Sequence, residues 1–114
     1  MSLDKIIDQL NLVVLTDQKD FGQIVPGVGY TSDLLSCVMA GASQHALWVT
    51  LQSHINIIAV AALLELSAII ITEGAMPDEI TVAKANEQNV TLLSTKESTF
   101  SIVGKLWEMG LRAS

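Results

Sequence analysis

Three residues of this chain have side chains that could together cleave a bond. Ser53, His54 and Glu73 supply a hydroxyl, an imidazole and a carboxylate, the groups of a nucleophilic hydrolase. Ser53 and His54 are neighbours in the chain, however, and this spacing rarely gives the required contact between hydroxyl and imidazole. No glycine-rich elbow surrounds the serine. We therefore predict that the protein has no catalytic residues and is not an enzyme.

His54 is nevertheless the side chain best suited to an active role. An imidazole can meet an anion when it is protonated, or it can transfer a proton. The alternative, which we favour, is that His54 hydrogen-bonds the turn that precedes a helix. Glu73 likewise has two interpretations, because it could pair with His54 or Lys96 or be a solvated acid in a loop.

Metal and cofactor sites are not predicted. His45, His54 and Cys37 are the only histidines and cysteine, and their spacing is not that of metal ligands. The glycines of the GVGY segment at 27–30 lack the further glycine and the helix start of a dinucleotide-binding loop. That segment is more typical of a turn.

Composition restricts the possible partners. The 114 residues suit one domain, 1–114, with a real core, and the thinly charged surface leaves apolar area for a second copy or another protein. We expect a homodimer. The formal charge of −6 excludes nucleic acid and anionic membranes as general partners.

The single cysteine, Cys37, cannot form an internal disulfide, and the N-terminus lacks the basic region and apolar core of a signal peptide. We therefore predict a cytoplasmic protein. Cys37 lies in an apolar pattern with Leu34, Leu35, Val38 and Met39, which predicts a packed, unreactive thiol.

The stretch from Leu47 to Gly74 must position these side chains. Its pattern predicts a buried strand at 47–50, a polar turn at 51–54, an apolar helix at 55–66 and a second buried strand at 68–72. Two apolar strands joined through a helix are typical of a parallel crossover. A membrane-spanning helix over 55–71 is disfavoured because Glu65 and Ser67 interrupt the run and β-branched residues fill its end.

The rest of the chain extends this unit into an α/β domain with a mostly parallel sheet. The sequence predicts helices at 1–10, 33–40, 77–88 and 99–109. It predicts strands at 12–15 and 90–93, and an interrupted or edge strand at 23–30.

Ligands of open parallel sheets bind beyond the carboxyl ends of the strands, so three strand exits are the predicted site. The candidate ligand-binding residues are Thr50, Gln52, Ser53 and His54 after the first strand, Thr72, Glu73 and Gly74 after the second, and Ser94 and Thr95 after the third. We expect His54, Thr72 and Ser94 to converge on one cleft.

From about Gly29 to Leu111 the chain resembles the DRTGG family, most clearly over the central unit, the Pro77-Asp78-Glu79 helix start, and the segment Leu93-Ser94-Thr95 with Thr99-Phe100. The resemblance implies a three-layer α/β/α sandwich similar to the N-terminal domain of bacterial HPr kinase, and frequent dimerisation. It also implies a regulatory role, as in phosphotransacetylases and in pyrophosphatases with CBS domains. The ligand that the resemblance implies is an adenine nucleotide.

The letters that name the family would fall on Ser53-His54 and on Thr72-Glu73-Gly74, where only Thr72 and Gly74 match. Without the arginine, the site lacks the planar guanidinium that pairs with a phosphate or a carboxylate. Glu73 adds a negative charge where an anion would approach. Two functions stay open. The chain is a dimeric regulatory domain that senses a small polar or anionic ligand, such as a nucleotide, or it is a protein-interaction subunit that docks on a larger metabolic or redox enzyme.

Overall fold

The computed structural model describes residues 1–113, which form one sheet covered by helices. Its elements are α1 (Leu3–Gln9), β1 (Val13–Val14), a 3₁₀ helix (Phe21–Gln23), β2 (Gly29–Thr31), α2 (Leu35–Gly41), β3 (Leu47–Thr50), α3 (Asn56–Leu64), β4 (Ala68–Ile71), α4 (Glu79–Glu87), β5 (Leu92–Ser94) and α5 (Thr99–Glu108). The predicted order of helices and strands is confirmed, and so is the α/β class.

The sheet has the strand order β1-β5-β4-β3-β2. Strands β2 to β5 are parallel, and β1 pairs antiparallel with β5. Leu47 lies opposite Ala68 and Thr50 opposite Ile71, so the two strands of the central unit form the predicted parallel crossover. Strand β2 lies at the sheet edge, as the glycines and proline around it predicted.

Helices cover both faces of the sheet, which explains why every residue of β3, β4 and β5 is buried. Because side chains alternate along a strand, Val49, Ile70 and Leu93 pack on one face with α1 and α5. Trp48 and Ile69 pack on the other face with α2, α3 and α4. The three-layer sandwich is confirmed.

The last two helices, α4 and α5, each begin at a side chain that caps the first turn. Asp78 caps α4, since its side chain accepts a hydrogen bond from the Thr81 amide at 2.8 Å. Ser98 caps α5 by accepting from the Ser101 amide at 3.1 Å. The predicted helix start at Pro77-Asp78-Glu79 is therefore confirmed, although the proline precedes the cap.

Two predictions for α2 are wrong. Cys37 is exposed, not packed, because only Val38 of this seven-residue helix is fully buried and position 37 is a quarter-turn away from it. The sequence predicted a helix from position 33, but the cap position is Leu34. The Ser32 hydroxyl accepts from the Leu34 amide at 3.1 Å instead, and the helix begins two residues later than predicted.

The apolar run at 55–71 is divided between α3, the tight turn at Glu65 and strand β4. Within residues 1–113, no helix combines the length and the apolar character needed to cross a membrane.

Candidate functional site

The carboxyl ends of the three central strands lie side by side. Thr50 pairs with Ile71, and Ile71 pairs with Ser94, so β3, β4 and β5 end at the same level. The turns that follow them therefore open at one edge of the sheet, which we call the carboxyl rim. Each turn is built differently, and the differences decide which side chains can reach a ligand.

Thr72 is turned into the fold. Its side chain is fully buried, and its hydroxyl lies 2.6 Å from the Thr99 hydroxyl and 3.3 Å from the carbonyl oxygen of Thr50. Ser94 is buried as well. These two predicted ligand-binding hydroxyls contribute to the packing of the carboxyl rim, because a buried polar group needs internal partners.

The turn after β4 is joined to the turn after β5 by its backbone. The Glu73 amide donates to the Glu97 carbonyl at 2.8 Å, and the Gly74 amide donates to the Thr95 carbonyl at 3.1 Å. Glu73 and Gly74 both have left-handed backbone conformations, with φ of 62° and 73°. Such a turn favours glycine, which matches the Gly-Gly of the family motif at these positions.

The Glu73 carboxylate is committed to the start of α5. It accepts a hydrogen bond from the Thr99 amide at 2.8 Å. A carboxylate at a helix N-terminus satisfies an unpaired amide and complements the helix dipole. Glu73 therefore has a structural contact in place of the pairing with His54 or Lys96 that the sequence offered.

The turn after β3 is held by Asp33, a residue that the sequence assigned only to a helix start. Its carboxylate accepts from the Thr50 hydroxyl at 2.8 Å and from the Leu51 amide at 2.9 Å. The Gln52 side-chain amide donates to the Asp33 carbonyl at 3.0 Å. Asp33 lies far from this turn in the chain, so only the pairing of β2 with β3 could have revealed the contact.

His54 has a fixed orientation. Its Nδ1 atom accepts a hydrogen bond from the Asn56 amide at 3.2 Å, just before α3 begins. This is the turn-stabilising role that the sequence favoured. Because Nδ1 is the acceptor, the proton of the neutral ring resides on Nε2, which remains as a donor.

A cavity of about 540 Å³ lies between this turn and the start of α4. It is lined by Leu51, Gln52, Ser53, His54, Ile55, Met76, Asp78, Ile80 and Thr81. Three predicted site residues, Gln52, Ser53 and His54, therefore share a cavity. The other six, Thr50, Thr72, Glu73, Gly74, Ser94 and Thr95, are not part of its lining.

The α4 side of this cavity was missed in the sequence, where Asp78 was interpreted only as part of a helix start. Hydrogen bonds from Thr81 lower the pKa of Asp78. The carboxylate is thus ionised at neutral pH. His54 is the one basic side chain of the lining, and Met76 and Ile80 add exposed apolar surface.

The cavity can therefore hold a molecule with an apolar body and a polar edge. Asp78 offers an acceptor, and His54 Nε2 offers a donor. Across the residues that the structure describes, no cluster of three or more His, Cys, Asp or Glu side chains could bind a metal ion.

The family model for the DRTGG domain matches residues 5–109. A comparison with curated proteins finds no match. The fold is similar to the CBS and DRTGG domains of the regulatory region of Clostridium perfringens pyrophosphatase, solved in complex with its activator diadenosine tetraphosphate. The TM-score is 0.73 at 21% identity, over 90% of this chain and 44% of that chain. This chain thus spans less than half of that structure, and the likeness shows a shared fold.

Proposed function

The chain belongs to the DRTGG domain family, and from that premise we propose that it is a non-catalytic regulatory domain that senses a small polar or anionic ligand. The ligand binds in the cavity between the turn after β3 and the start of α4. We expect the domain to act as a homodimer in the cytoplasm. The observation that carries the proposal is the shared cavity of Gln52, Ser53 and His54 at the carboxyl rim.

The size and lining of this cavity support a small molecule. Its volume of about 540 Å³ falls in the range of ligand pockets, which combine apolar walls with a few placed polar groups. Its position beyond the carboxyl ends of parallel strands is the usual one for open α/β sheets.

The charges around the cavity narrow the ligand class. Asp78 is ionised, and of the described residues that line the cavity none is lysine or arginine. A strongly anionic group would therefore be better placed in solvent, with an uncharged polar ring inside. A nucleobase fits this description, and a nucleotide could enter base first with its phosphates outside.

A thermal-shift titration with adenosine, AMP, ATP and acetyl phosphate tests this proposal. We expect a saturable rise in melting temperature with at least one nucleoside or nucleotide, because a ligand that binds only the folded state stabilises it. His54→Ala should abolish the rise. His54→Asn should also abolish it while keeping a side-chain acceptor for the Asn56 amide, so that a folding defect is not mistaken for lost binding.

His45→Asn is the matched control, since His45 is exposed and is not part of this cavity lining. It should leave the titration unchanged. No response of the wild-type chain to any of the four compounds, or an equal response in both His54 variants, would contradict ligand sensing at this cavity.

A second function is favoured by the apolar rim of the same cavity. Leu51, Met76 and Ile80 are all exposed, and Ile80 is 72% accessible. Exposed apolar groups clustered in this way are typical of a docking surface. The alternative is thus a protein-interaction subunit that docks on a larger enzyme and binds no metabolite. In that case Ile80→Glu should abolish co-purification with the partner, and the melting temperature should not respond to the nucleotides.

A further inference from the structure

A second apolar surface lies on α5, away from the proposed ligand cavity. Phe100 is 90% exposed, more than any other large apolar residue described. Gly104 and Trp107 follow it by four and seven residues, so the three share one face of the helix. Trp107 is 53% exposed.

An apolar cavity adjoins this face. It has a volume of about 300 Å³ and lies between α5, the edge strand β2 and the segment after α5. Val103, Leu106 and Trp107 of α5 line it on one side, and Tyr30 and Leu111 are among the residues on the others. The guanidinium of Arg112 stacks over the Trp107 ring, 4.1 Å from its centroid.

From this arrangement we infer that α5 is a self-association surface, at which Phe100 of one copy enters the cavity of a second copy. The inference rests on the homodimer of the proposed function and names its surface, which shares no residue with the ligand cavity. An apolar cavity of about 150 Å³ already accepts a benzene ring, so this one is large enough for a phenyl group.

A two-fold dimer would bring the projecting Phe100 of one copy to the cavity side of the other. In a symmetric dimer each copy uses the same surface, so a projection on that surface must meet a cavity on it. If two α5 helices cross antiparallel at Gly104, Phe100 of one copy faces position 108 of the other. That position, Glu108, is the last residue of α5 and is next to Trp107, which lines the cavity together with Leu111 of the segment after the helix.

Gly104 suits the crossing point. A Cβ atom placed there would have nothing within 4 Å, so the packing of the single chain does not require a glycine. Glycine inside a helix is unfavourable relative to alanine. Its benefit appears when a second helix must approach closely, because a side chain at this position would hold the two backbones apart.

The charge on this surface also permits a second copy to approach. The chain carries a net charge of −6, which makes association of two copies unfavourable in general. The segment 97–112 is an exception, because its two acids, Glu97 and Glu108, are balanced by Lys105 and Arg112. Two copies that meet through α5 therefore bring neutral segments together.

Analytical ultracentrifugation of the full chain from micromolar to millimolar concentration tests the proposal. We expect the wild-type mass to rise from 12.2 kDa towards twice that value. Phe100→Glu should remain at the monomer mass, and it should fold, because the side chain it replaces is solvent-exposed. Leu63→Glu alters another exposed apolar residue, 69% accessible, on α3 and should leave the mass of the dimer unchanged.

Gly104→Gln is a second, independent variant. It should raise the melting temperature at low concentration, because glutamine is a better helix former than glycine, and yet weaken the dimer. If Gly104 affected only the stability of the helix, the variant would raise the melting temperature and leave the dimer unchanged.

Tryptophan fluorescence gives a local readout. Trp48 is fully buried in the monomer, so a blue shift with rising concentration would report Trp107. A wild-type chain that stays monomeric would overturn the proposal, as would a dimer that Phe100→Glu leaves intact. A monomer in which benzene alone shifts the Trp107 emission would assign the cavity to a ligand and would also overturn it. None of these results depends on nucleotide binding.

Discussion

The hydroxyl oxygens of Thr72 and Thr99 lie 2.6 Å apart and join the end of β4 to the first residue of α5. Thr72 is one of two residues that match the letters of the family name. Its side chain is fully buried and also lies within hydrogen-bonding distance of the Thr50 carbonyl. At this position the motif therefore fixes the geometry of the carboxyl rim.

Replacing Thr72 by valine should destabilise the fold without changing its shape. Valine has the same branching but no hydroxyl, so Thr99 loses its partner in a partly buried place. We expect the free energy of unfolding to fall by about 1 to 3 kcal/mol, the range for removing one partner of a buried hydrogen bond. Urea denaturation followed by circular dichroism measures the change.

The Thr72→Val, Thr99→Val double variant is the control for this pair. If the hydroxyls interact as the structure has them, the double variant should be less destabilised than the sum of the single variants. Strict additivity would mean that the two hydroxyls are not coupled.

Asp33 should prove to be the anchor of the turn that carries Gln52, Ser53 and His54. Asp33→Ala removes the acceptor of the Thr50 hydroxyl and the Leu51 amide, so we expect a loss of about 1 to 2 kcal/mol in unfolding free energy. Hydrogen exchange at the Leu51 amide should accelerate more than exchange in α5. Asp33→Asn keeps an acceptor oxygen and should retain most of the protection, and equal acceleration in both variants would contradict the assignment.

The fold was largely predictable because its signals are local. Leu47 to Thr50 was predicted with its exact bounds, since a short apolar run between polar turns has few alternatives once it is followed by a helix. The helix start at Pro77-Asp78-Glu79 was recognisable for the same reason, because the Asp78 cap bonds an amide only three residues on.

The site was less predictable because its contacts join residues that are far apart in the chain. Nothing near Asp33 indicates that it bonds Leu51, eighteen residues later. The sequence shows that Thr72 is polar and ends a strand, but its burial depends on the position of α5. Cys37 was predicted wrongly since an apolar pattern does not state how much of a short helix is covered.

The ion pair between Glu97 and Lys105 should make stability fall on acidification. Hydrogen bonds from Lys105 and Ser101 lower the pKa of Glu97 below its ordinary value of 4.5. A carboxylate with a lowered pKa in the folded state stabilises the fold above the unfolded value, and this contribution is lost as the pH falls through the folded value.

The pH series that checks this effect compares the wild-type chain with Glu97→Gln below pH 4.5. The wild-type free energy of unfolding should fall more steeply there, and the difference should shrink in high salt because the pair is exposed. Lys105→Met should reduce the slope as well. Parallel curves for all three proteins would show that the pair has no influence on stability.

Restoring the family glycine at position 73 should have a different effect from removing the carboxylate alone. Glu73 has a φ of 62°, a conformation that costs a residue with a Cβ atom about 1 kcal/mol or more relative to glycine. Its carboxylate offsets this strain by accepting a hydrogen bond from the Thr99 amide.

Glu73→Ala keeps the strain and loses the hydrogen bond, so it should lower the free energy of unfolding by about 1 kcal/mol. Glu73→Gly loses the hydrogen bond and relieves the strain, so it should remain near the wild-type value. Urea denaturation of the three proteins under one condition measures the difference, and a glycine variant less stable than the alanine variant would contradict a strained turn at this position.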